Sequence, residues 1–105
     1  MEDPIVHLKK KVENSPNNLF FRYSLAQAQF GLEKYQEAIE HLNVCIAGKS
    51  DWMMAYFLLA QSEIKLGRIE SAKVSLSETM RLAEEQGHDD PLVEASDLLS
   101  TLESP

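Results

Sequence analysis

Two stretches decide the fold because they repeat one another: SLAQAQFGLEKYQEA at residues 24–38 and LLAQSEIKLGRIESA at residues 58–72. The triplet Leu-Ala-Gln begins at Leu25 in the first stretch and at Leu59 in the second, an offset of 34 residues. At this offset, residues 19–52 and residues 53–86 share six identical pairs: Leu25/Leu59, Ala26/Ala60, Gln27/Gln61, Leu32/Leu66, Ala38/Ala72 and Leu42/Leu76. Self-similarity at a fixed period indicates a repeated structural unit.

The alanines among these pairs fall where two packed helices need small residues. Ala26 lies midway along the first helical segment of its unit, and Ala38 lies early in the second. The distance between packed helices depends on the size of the side chains at their contact. We therefore expect Ala26 to lie against Ala38, and Ala60 to do the same with Ala72.

Composition is that of one small globular domain. The 105 residues are 44% hydrophobic and 26% charged, with only four glycines and four prolines, which favours long helices. The longest apolar run, near residues 52–60, is far shorter than the ~20 residues of a membrane span. No secretory signal is visible at the start of the sequence. We predict no membrane association.

The net charge and the single cysteine argue against further kinds of binding and cross-linking. A net charge of −7 argues against nucleic acid binding, which depends largely on neutralising phosphates. Residues 51–105 carry eleven acidic and four basic side chains, which predicts a solvated acidic surface, with a dock for a basic partner as the alternative. The single cysteine, Cys45, excludes an internal disulfide and suits a cytoplasmic location.

Start and stop signals divide the chain into six predicted helices. Asp3-Pro4 starts the first helix, and the turn over residues 14–18 ends it. Four helices follow over residues 19–30, 35–47, 52–66 and 69–86, and Asp90-Pro91 starts the sixth. No segment has the two-residue alternation of a strand. We predict an all-α fold of about six helices with antiparallel neighbours.

Three further signals mark the ends of these helices. Gly48 is predicted to be a left-handed residue at the end of the third helix, and Gly87 stops the fifth. Ser50 or Asp51 is predicted to cap the fourth helix.

The repeated unit resembles the tetratricopeptide repeat (TPR) family, whose 34-residue helix–turn–helix follows W-x2-L-G-x2-Y, then A-x3-F, then P. The pattern falls on Arg22, Leu25, Ala26, Gln29, Ala38, Leu42 and Ser50, and again on Tyr56, Leu59, Ala60, Glu63, Ala72, Leu76 and Glu84. The leucine and small positions fit, whereas the aromatic, phenylalanine and proline positions do not, apart from Tyr56. Glu84 in place of proline lets the fifth helix run on toward Gln86. The resemblance implies antiparallel helix pairs stacked in a right-handed superhelix.

The resemblance extends over nearly the whole chain and implies a single domain at residues 1–105. Residues 4–14 form a half-repeat helix, residues 19–52 and 53–86 form two repeats, and residues 91–103 form a capping helix. Because the chain begins within a half-repeat, its origin as a piece of a longer protein stays open.

A search for catalytic chemistry identifies no candidate. The histidines lack a second histidine or cysteine at metal-ligand spacing, and Glu37 with His41 is interpreted as a surface contact. The glycines stand singly at helix ends, so no phosphate-binding loop exists, and no nucleophile elbow is present. Cys45 is interpreted as a small buried apolar residue. We predict no enzymatic activity, no catalytic or metal-binding residues and no cofactor.

The resemblance implies a concave groove lined by the first helix of each pair. The implied groove residues are Phe20, Tyr23, Gln27, Phe30, Met54, Phe57, Gln61, Ile64 and Lys65, with Gln27 and Gln61 side by side. A strip of apolar and aromatic residues exposed to water is typical of a binding site. The alternative is that the first or sixth helix covers part of the strip.

We therefore predict an interaction module that binds an apolar or amphipathic segment of a protein partner. The alternative is homo-oligomerisation through the same strip, with Trp52 nearby. TPR domains that clamp the acidic C-termini of chaperones use lysine and asparagine where this chain has Tyr23, Gln27 and Leu58. An acidic tail is therefore not expected as the ligand.

Overall fold

The computed structural model describes residues 3–104 as a row of α-helices, with no strand in that range. The six helices are α1 (Pro4–Asn14), α2 (Leu19–Gly31), α3 (Tyr35–Gly48), α4 (Met53–Lys65), α5 (Ile69–Gln86) and α6 (Asp89–Glu103). Each helix packs against the next along the chain, and α2 also contacts α4. The all-α prediction is confirmed. The predicted domain also includes residues 1, 2 and 105, which lie outside the described residues.

Side-chain caps begin the first two helices. Asp3 Oδ1 accepts a hydrogen bond from the backbone N–H of Ile5 at 2.9 Å. Asn18 Oδ1 accepts from the N–H groups of Phe20 and Phe21 at 3.0 and 3.2 Å. These bonds satisfy amide groups that have no acceptor within their own helix. The prediction that Asp3 caps α1 is confirmed.

Two other predicted starts are wrong. Trp52, rather than Ser50 or Asp51, is the residue that precedes α4, and its side chain makes no capping hydrogen bond. Its indole instead packs against rings of α2. The sixth helix begins at Asp89, so Asp90 lies inside its first turn. Both carboxylates there are stabilised by the positive end of the helix dipole, which permits the earlier start.

Gly48 was expected to be left-handed, and this is wrong. Among the glycines, positive φ angles occur at Gly67 and Gly87, at 75° and 72°, whereas Gly48 is the last residue of α3. A Cβ atom built on Gly48 would lie only 2.6 Å from Cδ1 of Leu19. The end of α3 therefore approaches the Leu19 side chain at the start of α2 closely, and a larger residue at position 48 would displace that side chain.

The core is a series of clusters that follows the order of the helices. Ala26 and Ala38 are fully buried in one cluster, which also contains residues of α4. Ala60 and Ala72 are also fully buried. Ala26 and Ala38 thus share one cluster as predicted, whereas the contact of Ala60 with Ala72 stays a prediction.

The sixth helix covers the second helix pair. Ala95 of α6 is buried with Phe57, Ala60 and Leu76. Three leucines of α6 pack against this cluster: Leu98, Leu99 and Leu102. This packing removes one side of α4 and α5 from solvent.

None of the helices in residues 3–104 is long and apolar enough to cross a membrane.

Candidate functional site

An aromatic patch lies where α2 and α4 begin, and we define it as Phe20, Tyr23, Trp52 and Met54. The ring centroid of Trp52 lies 5.3 Å from that of Phe20 and 4.9 Å from that of Tyr23. These separations are favourable for aromatic pairs. Phe20 remains 66% exposed and Met54 41% exposed, whereas Tyr23 and Trp52 are half-buried. The patch is therefore ordered by ring contacts and still open to solvent.

Two hollows flank the indole of Trp52. The first, of about 450 Å³, lies on the α2 side and is lined by Asn17, Asn18, Leu19, Phe20, Lys49 and Trp52. The second, of about 320 Å³, lies on the α4 side and is lined by Lys49, Asp51, Trp52, Met53, Met54, Gln86 and His88. Lys49 Nζ forms an ion pair with Asp51 Oδ1 at 3.1 Å, so the charges between the hollows are balanced.

The patch includes three of the nine predicted groove residues: Phe20, Tyr23 and Met54. Gln27 and Lys65 are exposed, and Gln61 is half-buried. Phe30 is half-buried and packs edge-on against Tyr35, with ring centroids 5.3 Å apart.

Two predicted groove residues lie elsewhere. Phe57 is only 5% exposed and belongs to the buried cluster beneath α6, and Ile64 packs against the same cluster. The expectation that Phe57 is open to a partner is therefore corrected, because α6 occupies the space beside it. The apolar strip stops near Met54 instead of continuing along α4.

Tyr23 links the patch to Gln27. Burial raises the pKa of the Tyr23 hydroxyl, the nearby Cys45 thiol raises it further, and a hydrogen bond with the Gln27 side chain acts in the opposite direction. Gln27 thus lies beside the patch with its amide able to reach polar groups there. An amide in this position can hydrogen-bond a peptide backbone.

Cys45 lies beneath the patch and is fully buried. Its Sγ donates a weak hydrogen bond to the carbonyl oxygen of Leu19 at 3.6 Å. Burial raises the pKa of the thiol to about 11. The thiolate is the reactive form of cysteine, so Cys45 acts here as a packing residue.

Gln29 and Glu63 are buried polar residues that occupy corresponding places in the two helix pairs, 34 positions apart. Ser75 Oγ donates to Glu63 Oε1 at 2.6 Å, and burial raises the pKa of the Glu63 carboxyl. The Gln29 side chain donates to Glu37 Oε2 at 3.3 Å, and its own Oε1 has no hydrogen-bond partner among the described residues. Both groups lie inside the helix pairs, away from the aromatic patch.

The histidine pattern adds no chemical site. His41 Nδ1 lies 3.4 Å from Nη1 of Arg22, and burial together with this guanidinium lowers the pKa of the imidazole. Within residues 3–104, no group of three or more histidine, cysteine, aspartate or glutamate side chains is placed to hold a metal ion.

Trp52 and Lys49 are the site residues that sequence reasoning left out of the groove. Both lie in the connection between α3 and α4, whereas the groove was assigned only to first helices. A large aromatic residue in an otherwise polar turn, Gly48-Lys49-Ser50-Asp51-Trp52, is the signal that could have identified the position.

A family comparison places these helix pairs among known proteins. The family model described as "Anaphase-promoting complex, cyclosome, subunit 3" matches residues 14–79, which is more than half of the chain. The chain belongs to this family. The match covers all of α2, α3 and α4 and much of α5, so this family member carries its aromatic patch within the matched region. No curated protein matches the sequence.

Solved structures establish the fold of this family member. The TPR domain of a Salinibacter ruber protein is 24% identical, with a TM-score of 0.75 over 85% of this chain and 90% of that one. The first TPR of Spaghetti (RPAP3), bound to the HSP90 peptide SRMEEVD, is 21% identical, with a TM-score of 0.81 over 93% and 73%. The yeast Sti1 TPR2B domain, in a complex with pHsp70, is 19% identical, with a TM-score of 0.85 over 93% and 78%. The fold is a TPR superhelix, as the resemblance implied.

Proposed function

We propose that this chain is a protein-interaction module that holds an apolar or amphipathic segment of a partner protein against the groove formed by α2 and α4. The proposal takes residues 19–52 and 53–86 as the two repeats, residues 4–14 as a half-repeat and residues 91–103 as the cap. One observation carries it: Phe20 and Met54 stay exposed on neighbouring first helices, whereas Phe57 and Ile64 pack in the cluster that α6 covers.

The polar residues near the strip support an apolar ligand over an acidic tail. Lys65 is the one cation among the predicted groove residues. Tyr23 and Gln27 occupy two of the positions where a carboxylate clamp uses lysine or asparagine, and Leu58, at a third, is only 9% exposed. A net charge of −7 further disfavours an acidic ligand. The TPR of Spaghetti (RPAP3), in contrast, was solved with a peptide ending in Glu-Glu-Val-Asp.

A pull-down with a matched control tests the proposal. Met54→Lys places a charge on the exposed strip, and Val74→Lys places the same charge on α5, where Val74 is 71% exposed. We expect immobilised wild type and Val74→Lys to retain the same proteins from cell extract, and Met54→Lys to lose them, as quantified by mass spectrometry. Equal retention by both variants would contradict the groove assignment.

Self-association through the same strip is the alternative function. Light scattering at high micromolar concentration separates the two, because an oligomerisation module would already be associated without any partner. A monomer under these conditions removes the alternative.

A further inference from the structure

Trp52 divides the exposed surface into two receptor hollows and contacts both. Phe20 forms one wall of the first hollow and Met54 one wall of the second, and the indole lies between them. The Trp52 ring is held by Phe20 and Tyr23, so it is fixed before any ligand arrives. A fixed aromatic side chain loses little conformational entropy on binding, which favours it as an anchor.

The exposed area of the patch indicates what size of partner it can bind. An aromatic side chain carries about 150–250 Å² of surface, and the four residues of the patch are only partly exposed, so together they offer roughly 400 Å². A stable dimer buries about 800 Å² on each partner. The patch alone supplies about half of the area that a stable dimer buries on each partner, which favours a short peptide segment over a second copy of this chain.

The charge around the second hollow indicates which residues should flank the apolar side chains of the peptide segment. Gln86 and His88 line the hollow, and their sequence neighbours Glu84, Asp89 and Asp90 are exposed, as is Glu85, whose Oε1 is paired with Arg81 Nη1 at 3.1 Å. No lysine or arginine occurs between residues 82 and 105. The first hollow lacks such a concentration of acidic neighbours. The surface is thus asymmetric, with its negative side next to the α5–α6 turn.

We infer that Trp52 anchors a short partner segment carrying two bulky apolar side chains, one in each hollow, and basic residues beside the side chain that enters the second. The inference rests on the proposed function and specifies its ligand. The basic residues would lie against the acidic turn, and Asn17, Asn18 and Gln86 would hydrogen-bond the backbone of the segment.

Selection from short random peptides displayed on phage tests this ligand chemistry. We expect the enriched sequences to share paired leucine, methionine or aromatic residues next to lysine or arginine. A synthetic copy of the leading peptide, chosen without tryptophan, is then titrated against the protein. Because Trp52 is the single tryptophan, burial of its indole should shift the fluorescence emission to shorter wavelength.

Two matched variants locate the binding. Phe20→Ser should lower the affinity for the peptide by about tenfold or more, as expected for a side chain at the centre of an interface. Val74→Ser, at a similarly exposed position on α5, should change affinity by less than about twofold. Glu84→Lys should weaken binding and reduce its dependence on ionic strength. Circular dichroism checks that each variant is folded.

The outcomes separate this inference from the proposed function. A library that yields no binder contradicts both. Binders that leave the Trp52 emission unchanged and tolerate Phe20→Ser contradict the inference while the interaction function stands. Enrichment of acidic peptides contradicts the charge argument. Concentration-dependent self-association that Phe20→Ser abolishes would identify a second copy as the occupant and overturn the inference.

Discussion

Gln29 and Glu63 occupy the same position in the two repeats and differ only in that an amide nitrogen replaces a carboxyl oxygen. Gln29 and Glu63 are 34 residues apart, both are buried, and their side chains have nearly the same shape. Gln29 is neutral at every pH, whereas Glu63 carries a carboxyl whose pKa is raised by burial. The hydrogen bond from Ser75 and the nearby Arg68 offset part of that effect. At this position, therefore, only the second repeat carries a group that titrates.

Glu63→Gln is expected to increase the free energy of unfolding at neutral pH. The folded pKa lies above the unfolded one, so the folded state binds more protons between them, and the stability of wild type falls as pH rises through that interval. Glutamine removes this loss and still accepts from Ser75. Urea denaturation near pH 4 and pH 7 measures the effect, with exposed Glu94→Gln as control. A gain that does not shrink at the lower pH would contradict the cause.

At the scale of the element, α6 decides which apolar residues are core and which are surface. Phe20 and Phe57 were both predicted to line the groove, but α6 packs over Phe57 and leaves Phe20 66% exposed. The helix acts as a lid on the second pair, and its small Ala95 allows the close contact. The open patch is consequently confined to the start of α2 and α4.

Truncating the two phenylalanines should destabilise the protein to very different extents. Phe57→Ala leaves a cavity beneath α6 and should destabilise the protein by about 3–5 kcal/mol. Phe20→Ala removes a mostly exposed ring together with its contact to Trp52 and should cost no more than about 1.5 kcal/mol. Chemical denaturation followed by circular dichroism measures both. Similar values for the two variants would mean that α6 does not cover Phe57 in solution.

The sequence predicts helices well because their signals are local. Asp3-Pro4 and Gly87 mark ends through the chemistry of their own backbone neighbourhood, and the structure agrees. Gly48 was misinterpreted because it continues α3 and lies against Leu19, a residue far away along the chain. Phe57 was wrongly assigned to the groove for a similar reason, because the packing of α6 over it is a long-range contact that no local signal reveals. Local chemistry is readable from one sequence, whereas the pairing of faces is not.

At the scale of the whole molecule, stability is distributed along an elongated row of helices. The principal dimensions are 43 × 28 × 22 Å, and the main helix contacts join neighbours in chain order. Helix α4 contributes to three of the buried clusters, whereas α1 contributes to one. In such an array each unit depends on its neighbours for burial.

Hydrogen exchange should therefore show a gradient along the chain. Amides of α4 are expected to be the most protected, and amides of α1, which packs mainly on α2, should exchange first because local opening exposes little core. Exchange followed by mass spectrometry of peptic fragments measures the order. Equal protection of α1 and α4 would indicate a single cooperative unit instead.

The close approach of Gly48 to Leu19 has a consequence for the symmetry of the array. The corresponding residues 34 positions later are Leu82 and Met53, which pack together in a buried cluster. A hydrogen atom at position 48 thus takes the place of an isobutyl group at position 82, so the two helix pairs fill this end with different side-chain volumes. Trp52 lies in the connection between the two units, and the residue 34 positions later is Gln86. The two units are therefore not interchangeable, and a chain built from two copies of the second would have glutamine where the patch needs its tryptophan.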